Sequence, residues 1–361
     1  MDAPLEFESW QGRIDRVDAE PLAERAQLRV GSFDRVDGVE YRLEDRDRSL
    51  DVIAEVGQLG QHSFPPRIEV VDLRDLFDRP AAEEVDLPAF RPPHLALHPQ
   101  PDPLPEELYR SRYARRAFGD QDDSGDPTTV YSPDTRFEFS DTAYPWSCCG
   151  RVDTPGGGGS GVMIGRHHML TASHIINWGP NNTAGWVKFT PMAFDTSEPF
   201  GFAYATQIYW WLQADASDLI QSQEAAFDYV VCVLDRPLGD LTGWMGSRAY
   251  STDWDGGEFW GHVGYPTDSG GDRPVYHGPG VMDSTVTEST GGRDSFRIMH
   301  RNDVIPGQSG GPFFGWWDGE VGPHVIASQS AENWNSTPGP NAAGGGNPLP
   351  ELVRHALTVE P

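Results

Sequence analysis

The chain has 361 residues, of which 27 are basic and 55 acidic, and its formal net charge is −28. Such a field repels nucleic-acid backbones and anionic membranes, so we expect neither as a partner. No apolar run approaches the roughly 18 residues that a membrane-spanning helix needs. The 40 glycines and 31 prolines disfavour long helices and favour short strands joined by turns. Composition therefore predicts a β-rich protein with a sizeable core.

The first 130 residues differ in pattern from the rest. Residues 1–90 are highly charged, and their apolar residues alternate only over short stretches such as Ile68–Leu73. Residues 91–130 are rich in proline and charge, as in a linker or an extended arm, and Pro105–Arg110 is predicted to form a short helix. We predict three parts: an accessory region over 1–90, a linker over 91–130 and a main domain over 131–361.

The start of the chain and its cysteines constrain the compartment only weakly. Met1–Glu6 has neither the basic start nor the apolar centre of a signal peptide, which leaves localisation open. Cys148, Cys149 and Cys232 are too few for a disulfide scaffold, and neighbouring cysteines rarely bond to each other. We predict buried free thiols, with a bridge to Cys232 as the open alternative. The sequence offers no cluster with metal-ligand spacing, so we expect no metal and no other cofactor.

The first segment with a candidate catalytic residue is Gly161–His174, which alternates like a strand, turns, and ends in a histidine. We interpret His167 and His168 as structural, because both lie inside the strand pattern, and His174 as a candidate general base. Ser160 follows four glycines and is assigned to a flexible hairpin turn rather than to a nucleophile. The glycine run also lacks the Gly-Lys-Ser/Thr ending of a phosphate-binding loop.

An aspartate follows at the start of another strand. Asp228 leads directly into the apolar run Tyr229–Leu234. Asp215 and Asp218 lie in a polar loop with no strand behind them, and Asp235 follows the strand, so these three are weaker candidates. A carboxylate beside a catalytic histidine fixes its tautomer and stabilises the imidazolium. Asp228 is the candidate for that role.

The most informative stretch is Pro306–Pro312, which reads Pro-Gly-Gln-Ser-Gly-Gly-Pro. A serine hydroxyl attacks an acyl carbon only with an adjacent base and with N–H groups aimed at the oxyanion. Glycines around Ser309 allow a close approach of the backbone to a substrate carbonyl. The N–H groups of Gly307 and Ser309 are the candidate oxyanion donors. The alternative is an ordinary glycine-rich turn.

The chain order histidine, aspartate, serine is that of chymotrypsin rather than of subtilisin or the α/β-hydrolases. The segment from about Tyr131 to Leu357 resembles the chymotrypsin-fold serine peptidases of the secreted microbial, glutamyl endopeptidase-like branch. The resemblance rests on three blocks and a similar lead-in: Thr171–His174, Phe227–Tyr229, Gly307–Pro312 and Asp141–Trp146.

This resemblance implies an all-β fold of two six-stranded antiparallel β-barrels with a C-terminal helix. It also implies a secreted serine endopeptidase that cuts proteins or peptides through an acyl-enzyme, with His174, Asp228 and Ser309 as its triad. Relatives are made with a pro-region, for which residues 1–130 are the candidate, and we predict a cut near Arg136. An ordinary accessory domain is the alternative for residues 1–130. For the whole chain the alternative is a catalytically silent binding module, and the oligomeric state is undetermined.

The resemblance also indicates where the chain departs from its relatives. The predicted substrate pocket comprises Asp303, Val304, Gln329 and Ser330. Gln329 stands where glutamyl endopeptidases carry a histidine, so a preference for glutamate is in doubt. Asp303 lies six residues before Ser309, where trypsin-like enzymes recognise Arg or Lys, but a turn-capping aspartate explains it equally well. Gln308 replaces the aspartate that would receive a freed N-terminus, which argues against activation by that ion pair.

The remaining features are structural expectations. Pro350–Leu357 has helical spacing behind a proline and is expected to pack on the second barrel. Eleven of the twelve tryptophans lie after residue 140, several of them in strand-like, aromatic-rich stretches such as Tyr209–Trp211 and Phe313–Trp317. We interpret them as packing between the barrels; an aromatic box for a sugar or a methylated cation is the alternative.

Overall fold

A computed structural model describes residues 2–19, 39–46, 49–56, 68–73, 85–109, 130–131, 133–214, 220–331 and 340–360. Over these ranges no helix has the length and apolar character needed to cross a bilayer. The predicted helix at Pro105–Arg110 is a 3-10 turn over Glu106–Leu108. Of the weaker aspartate candidates, Asp215 and Asp218 lie outside the described residues.

The described residues form twenty strands and four α-helices. The strands are β1 Val39–Arg46, β2 Ser49–Val56, β3 Glu69–Asp72, β4 Asp86–Leu87, β5 Phe137–Glu138, β6 Cys149–Thr154, β7 Gly157–Met163, β8 His168–Thr171, β9 Trp178–Gly179, β10 Thr183–Ala184, β11 Lys188–Pro191, β12 Ala203–Trp210, β13 Val230–Leu234, β14 Gly246–Arg248, β15 Glu258–Gly264, β16 Val275–Thr290, β17 Arg293–His300, β18 Pro312–Gly315, β19 His324–Ala331 and β20 Asn341–Gly345. The helices are α1 Phe7–Arg13, α2 Ser222–Ala226, α3 Gly239–Thr242 and α4 Pro348–Val359.

The first barrel is a closed ring of six strands in the order β11, β6, β7, β8, β13, β12, and the pairing of β11 with β12 closes it. Strand β3 extends this sheet by pairing in parallel with β12. All five residues of β13 are buried, since one face lies in the barrel and α4 packs against the strand from outside. Burial on both faces explains the continuous apolar sequence of β13.

The second barrel is a ring of β18, β15, β16, β17, β20 and β19, closed by the pairing of β18 with β19. Strands β14, β4 and β5 extend it at its margins. The predicted pair of six-stranded barrels with a C-terminal helix is therefore confirmed. Trp146, Trp260 and Trp316 are fully buried, which supports the interpretation of the tryptophans as packing residues.

Helix α4 departs from its predicted position in one respect. It begins at Pro348 and contacts β8, β12 and β13 of the first barrel as well as β14 and β17. The expectation that it packs on the second barrel is met through β17, and the helix packs on the first barrel as well. Its apolar stripe, with Leu349, Leu352, Val353 and Ala356 buried, is wide enough to cover the junction of both barrels.

Several described parts of the N-terminal 109 residues, among them α1, β3 and β4, pack against the two barrels. The Leu5 N–H donates to the Trp316 carbonyl at 2.7 Å, and Trp10 of α1 is fully buried. Within the predicted linker, Leu95 and Leu97 are buried, and Leu97 forms a bridge with Tyr144. These contacts bind the region to the main domain in its described ranges, while the predicted boundaries at residues 90 and 130 stay predictions.

The three cysteines are buried and unbridged, as predicted. Ser160 was assigned wrongly. Strand β7 already begins at Gly157, so the hairpin turn precedes it and Ser160 is a buried strand residue paired with Arg151 of β6. The glycine-rich composition misled the prediction, because glycine also serves where other backbone approaches a strand closely. A Cβ at Gly159 would lie 2.8 Å from the Ser309 carbonyl oxygen.

Candidate active site

His174 and Asp228 meet because β8 and β13 are antiparallel neighbours. Thr171, the last residue of β8, pairs with Val230, the first residue of β13, so the residues after β8 and before β13 share one end of the barrel. There His174 Nδ1 lies 2.5 Å from Asp228 Oδ2, and Asp228 Oδ1 accepts the His174 N–H at 2.9 Å. The Asp228 carboxylate is fully buried and the His174 side chain is 9% exposed. The two contacts fix both the ring and the backbone of His174.

Ser330 joins this pair from the second barrel. Its hydroxyl donates to Asp228 Oδ2 at 2.6 Å, on the same oxygen that faces the imidazole. Sequence reasoning assigned Ser330 to the substrate pocket and missed this contact, because nothing in the sequence links β19 to the loop before β13. The third bond helps to hold the carboxylate in its buried position.

The histidine loop is held by hydrogen bonds from Ser173. Its hydroxyl donates to the Leu212 carbonyl at 2.9 Å and accepts the Ala214 N–H at 3.1 Å. The Ser173 carbonyl also accepts the Trp178 indole N–H at 2.9 Å. The loop is therefore hydrogen-bonded both to the segment after β12 and to Trp178 of β9.

The loop of Ser309 is held between the two barrels. The Ser309 carbonyl accepts the Ser160 N–H at 2.7 Å from the first barrel. On the other side the Gly310 N–H donates to the Gln329 carbonyl at 2.8 Å, and the Gln329 N–H donates to the Gly311 carbonyl at 2.9 Å. Gly310 has φ +81°, and a Cβ there would lie 2.6 Å from the Ala172 nitrogen. The half-buried Ser309 is thereby held beside the end of β8, where His174 begins its loop.

Ser160 contributes three further contacts that the sequence did not reveal. Its hydroxyl donates to the Gly307 carbonyl at 2.8 Å and accepts the Tyr265 N–H at 2.8 Å. Its own carbonyl accepts the Thr171 hydroxyl at 2.7 Å. One buried serine of β7 thus connects the Ser309 loop, the second barrel and the strand that leads to His174.

The amides around Ser309 differ in their bonding. The Gln308 N–H donates to the Ile305 carbonyl at 3.2 Å. The N–H groups of Gly307 and Ser309 have no acceptor among the residues that the structure describes. Gly307 has φ +97°, and a Cβ there would lie 2.4 Å from the Tyr265 carbonyl oxygen, so only glycine fits. Among the described residues, the N–H groups of Gly307 and Ser309 are therefore unbonded, whereas the Gln308 N–H between them is hydrogen-bonded.

The Asp303 carboxylate is hydrogen-bonded within the protein. Its oxygens accept the N–H groups of Tyr131 at 2.7 Å and Thr135 at 3.2 Å. It borders a cavity of about 280 Å³ whose described lining includes His277 but neither Gln329 nor Ser330. Burial raises the pKa of Asp303 to about 6, although the Tyr131 and Thr135 amides act in the opposite direction. These contacts favour the turn-capping interpretation over recognition of a basic substrate.

The other two pocket residues are buried. Val304 has no exposed surface. Gln329 Oε1 lies 3.0 Å from His300 Nε2, and its Nε2 donates to the Ala331 carbonyl at 3.3 Å. Burial lowers the pKa of His300 to about 3, so its ring is neutral and donates to Gln329. The amide of Gln329 is therefore oriented by a neutral histidine.

One group of potential metal ligands occurs in the described ranges: Asp86, Glu320 and His324. Arg248 contacts both carboxylates, the one on Glu320 at 3.3 Å. A guanidinium already supplies the positive charge at this point, so the group is explained as an ion-pair cluster. It ties β4 of the N-terminal region to β14 and β19.

Comparisons with known proteins place this geometry in context. No protein-family model matches the sequence. No curated protein matches it either. Among solved structures, a Glu endopeptidase in complex with MPD is 16% identical with a TM-score of 0.50, over 63% of this chain and 99% of that one.

Two other protease structures have lower TM-scores. The protease Anisep from Arthrobacter nicotinovorans is 20% identical, with a TM-score of 0.38, over 57% of this chain and 92% of its own. The thermostable serine protease AL20 from an extremophilic microorganism is 16% identical, with a TM-score of 0.40, over 59% and 98%. At these identities the likeness concerns architecture, and the chain has the two-barrel fold of the chymotrypsin-type serine proteases.

Proposed function

We propose that the chain is a serine endopeptidase with His174, Asp228 and Ser309 as its catalytic triad. The observation that carries the proposal is the buried Asp228 carboxylate, which contacts His174 Nδ1 at 2.5 Å at the barrel end beside the Ser309 loop. A carboxylate at this nitrogen places the proton on Nδ1 and leaves Nε2 as a base. The fold similarity supports the same chemistry.

The reaction follows from these groups. Ser309 Oγ attacks the scissile carbonyl carbon while its proton passes to His174 Nε2, and a C–O bond forms. The unbonded N–H groups of Gly307 and Ser309 receive the oxyanion. The C–N bond then breaks as the imidazolium protonates the leaving amine, which yields the acyl-enzyme. Water repeats the sequence and releases the acid.

The substrate preference follows from the pocket residues. Both Asp303 oxygens are engaged by backbone N–H groups, and Gln329 presents a neutral amide held by a neutral His300. We expect neither Arg or Lys nor Glu to be strongly preferred before the cut. A panel of chromogenic peptides that differ only at that residue tests this, and a preference above about tenfold for either charge would contradict it.

The proposal is tested by labelling with an active-site phosphonate, which reacts with an activated serine. The wild-type chain is expected to gain one adduct on Ser309, located by peptide mass spectrometry, and to hydrolyse peptides. Ser309→Ala must abolish both, whereas Ser284→Ala, a control on β16 away from the loop, should preserve both. A folded wild-type chain that neither reacts nor hydrolyses would instead be a non-catalytic module of this fold.

A further inference from the structure

The side chain that precedes Ser309 is held by an arginine from outside the barrels. Gln308 is fully buried, and its Oε1 accepts hydrogen bonds from Arg136 Nη1 at 3.1 Å and from the Ile305 N–H at 3.0 Å. Arg136 is itself only 3% exposed. Gln308, at the position where trypsin-like enzymes carry the aspartate that receives a freed N-terminus, therefore meets a guanidinium of the same chain.

Arg136 also connects this loop to its neighbour. Its guanidinium contacts Asp134 Oδ2 and Asp268 Oδ2, both at 2.9 Å. Asp268 lies in the turn Thr267–Ser269, and the Thr267 N–H donates to the Pro306 carbonyl at 2.9 Å. The guanidinium thus joins the two backbone segments that pack together at Gly307.

The residues around Arg136, which we term the strap (133–138), are attached at both ends. Before Arg136, the Thr135 N–H donates to Asp303, at the start of the Ser309 loop. After it, β5 pairs with β16, and Glu138 accepts the Ser269 hydroxyl at 2.9 Å. The strap is therefore fastened to both ends of the segment 303–308 and to the turn beside it.

We propose that Arg136 is a positioning residue for the Ser309 loop and that the strap makes the chain competent without a cut at its N-terminal side. An activating ion pair with a freed amine needs a carboxylate, which Gln308 lacks, whereas the Arg136 guanidinium supplies a charge-assisted donor to the Gln308 amide oxygen and is part of the chain from synthesis. The inference rests on the proposed function. It also replaces the predicted cut near Arg136, since a break there would release the guanidinium that it needs.

The first test is the rate of phosphonate labelling under native conditions, with the urea midpoint measured in parallel. Arg136→Met is expected to lower the second-order labelling rate by about 10- to 100-fold, because a buried charge-assisted hydrogen bond is lost. Gln308→Met removes the acceptor but keeps both arginine–aspartate ion pairs, so it should lower the rate with a smaller shift in urea midpoint. The double variant should be slower than Arg136→Met by less than the full effect of Gln308→Met, since both changes remove the Arg136–Gln308 hydrogen bond and Gln308→Met additionally removes the acceptor of the Ile305 N–H.

Arg293→Met is the matched control. Arg293 is 4% exposed and forms a two-pronged contact with Glu351, at 2.9 and 3.0 Å, away from the Ser309 loop. It should lose stability comparably and label at the wild-type rate. Equal labelling rates in wild type, Arg136→Met and Gln308→Met would overturn the positioning role, as would an equal fall in Arg293→Met.

The second test is the intact mass of the labelled protein. The adduct is expected on the uncut 361-residue chain. Labelling confined to chains that begin after Arg136 would overturn the inference while leaving the proposed function standing. A folded wild-type chain that is never labelled, cut or uncut, would instead defeat the proposed function and this inference with it.

Discussion

The Ser160 hydroxyl donates a 2.8 Å hydrogen bond to the Gly307 carbonyl oxygen. Ser160 lies on β7 of the first barrel, and Gly307 belongs to the loop before β18 of the second, so the bond crosses the junction between the barrels. It orients a peptide group next to the unbonded amide of Gly307. The geometry proposed to bind an oxyanion therefore depends on a residue far from Ser309 in the sequence.

Replacing this serine should impair the reaction as well as the fold. Ser160→Ala leaves the Tyr265 N–H without its acceptor and frees the Gly307 carbonyl, which should destabilise the protein by about 1–3 kcal/mol. We expect kcat to fall about tenfold or more with little change in KM, because the oxyanion donors act mainly in the transition state. Steady-state kinetics and urea unfolding measure the two effects.

Ser147→Ala is the matched control for this change. Ser147 is equally buried and donates to the Thr242 carbonyl at 2.7 Å, away from the Ser309 loop. It should lower stability similarly and leave kcat near the wild-type value. A similar loss of kcat in both variants would mean that Ser160 acts only through stability.

The contact between Asp228 and His174 predicts a large effect of charge removal. Asp228→Asn preserves the shape but favours the wrong histidine tautomer, and it should lower kcat by about 10⁴-fold. Asp235→Asn, whose remaining oxygen can still accept the Tyr204 N–H, should be nearly silent. Peptide hydrolysis measures both; a loss below tenfold in Asp228→Asn would exclude the proposed triad role.

The raised pKa of Asp303 predicts that the stability of the protein depends on pH. Its folded pKa of about 6 lies above the ordinary aspartate value of 3.8, because burial disfavours the charged form. The neutral carboxyl therefore contributes stability fully below about pH 4, and this contribution is lost as pH rises through 6. Asp303→Asn does not titrate, so the stability of wild type relative to this variant should fall between pH 4 and 7. The expected fall is on the order of 2 kcal/mol.

Neighbouring groups must be separated from this effect. His277 Nδ1 lies 3.7 Å from Asp303 Oδ2, and Asp134 and Arg136 also act on the carboxyl. Burial lowers the pKa of His277 to about 4, so its contribution is lost as pH falls and has the opposite sign. Subtracting the Asp303→Asn curve from that of wild type largely removes it. A difference that is flat with pH would contradict the assignment.

Substitutions at Trp10 test whether the N-terminal helix α1 packs against the barrels in solution. It is fully buried, its ring lies 6.2 Å from those of Phe314 and Trp316, and its indole N–H donates to the Leu5 carbonyl at 3.2 Å. Trp10→Ala should cost about 3–5 kcal/mol in urea unfolding, and Trp10→Phe clearly less. A cost within 0.5 kcal/mol, as is usual for surface substitutions, would show that α1 is not docked in solution.

The sequence predicted correctly those strands whose pattern depends on a single local segment. The strand before His174 and the apolar run after Asp228 were predicted as observed, because their periodicity reflects burial of local side chains. The assignment of Ser160 to a turn failed for the opposite reason. Its neighbour Gly159 is required to be glycine by the approach of the Ser309 backbone, and that approach is not visible in the segment itself.

The sequence by itself determined a β-rich chain and the candidates His174, Asp228 and Ser309, since strand pattern, small-residue turns and chain order are local or ordinal properties. The two-barrel architecture was implied by the resemblance that these motifs carry. Tertiary structure alone decided which distant groups support them: Ser330 on Asp228, Ser160 on Gly307 and Arg136 on Gln308. Tertiary structure also decided that the Asp303 carboxylate accepts a hydrogen bond from the strap, from the Thr135 N–H. Each of these contacts joins residues more than a hundred positions apart, so it depends on how the folded segments pack together and is not encoded in any single segment.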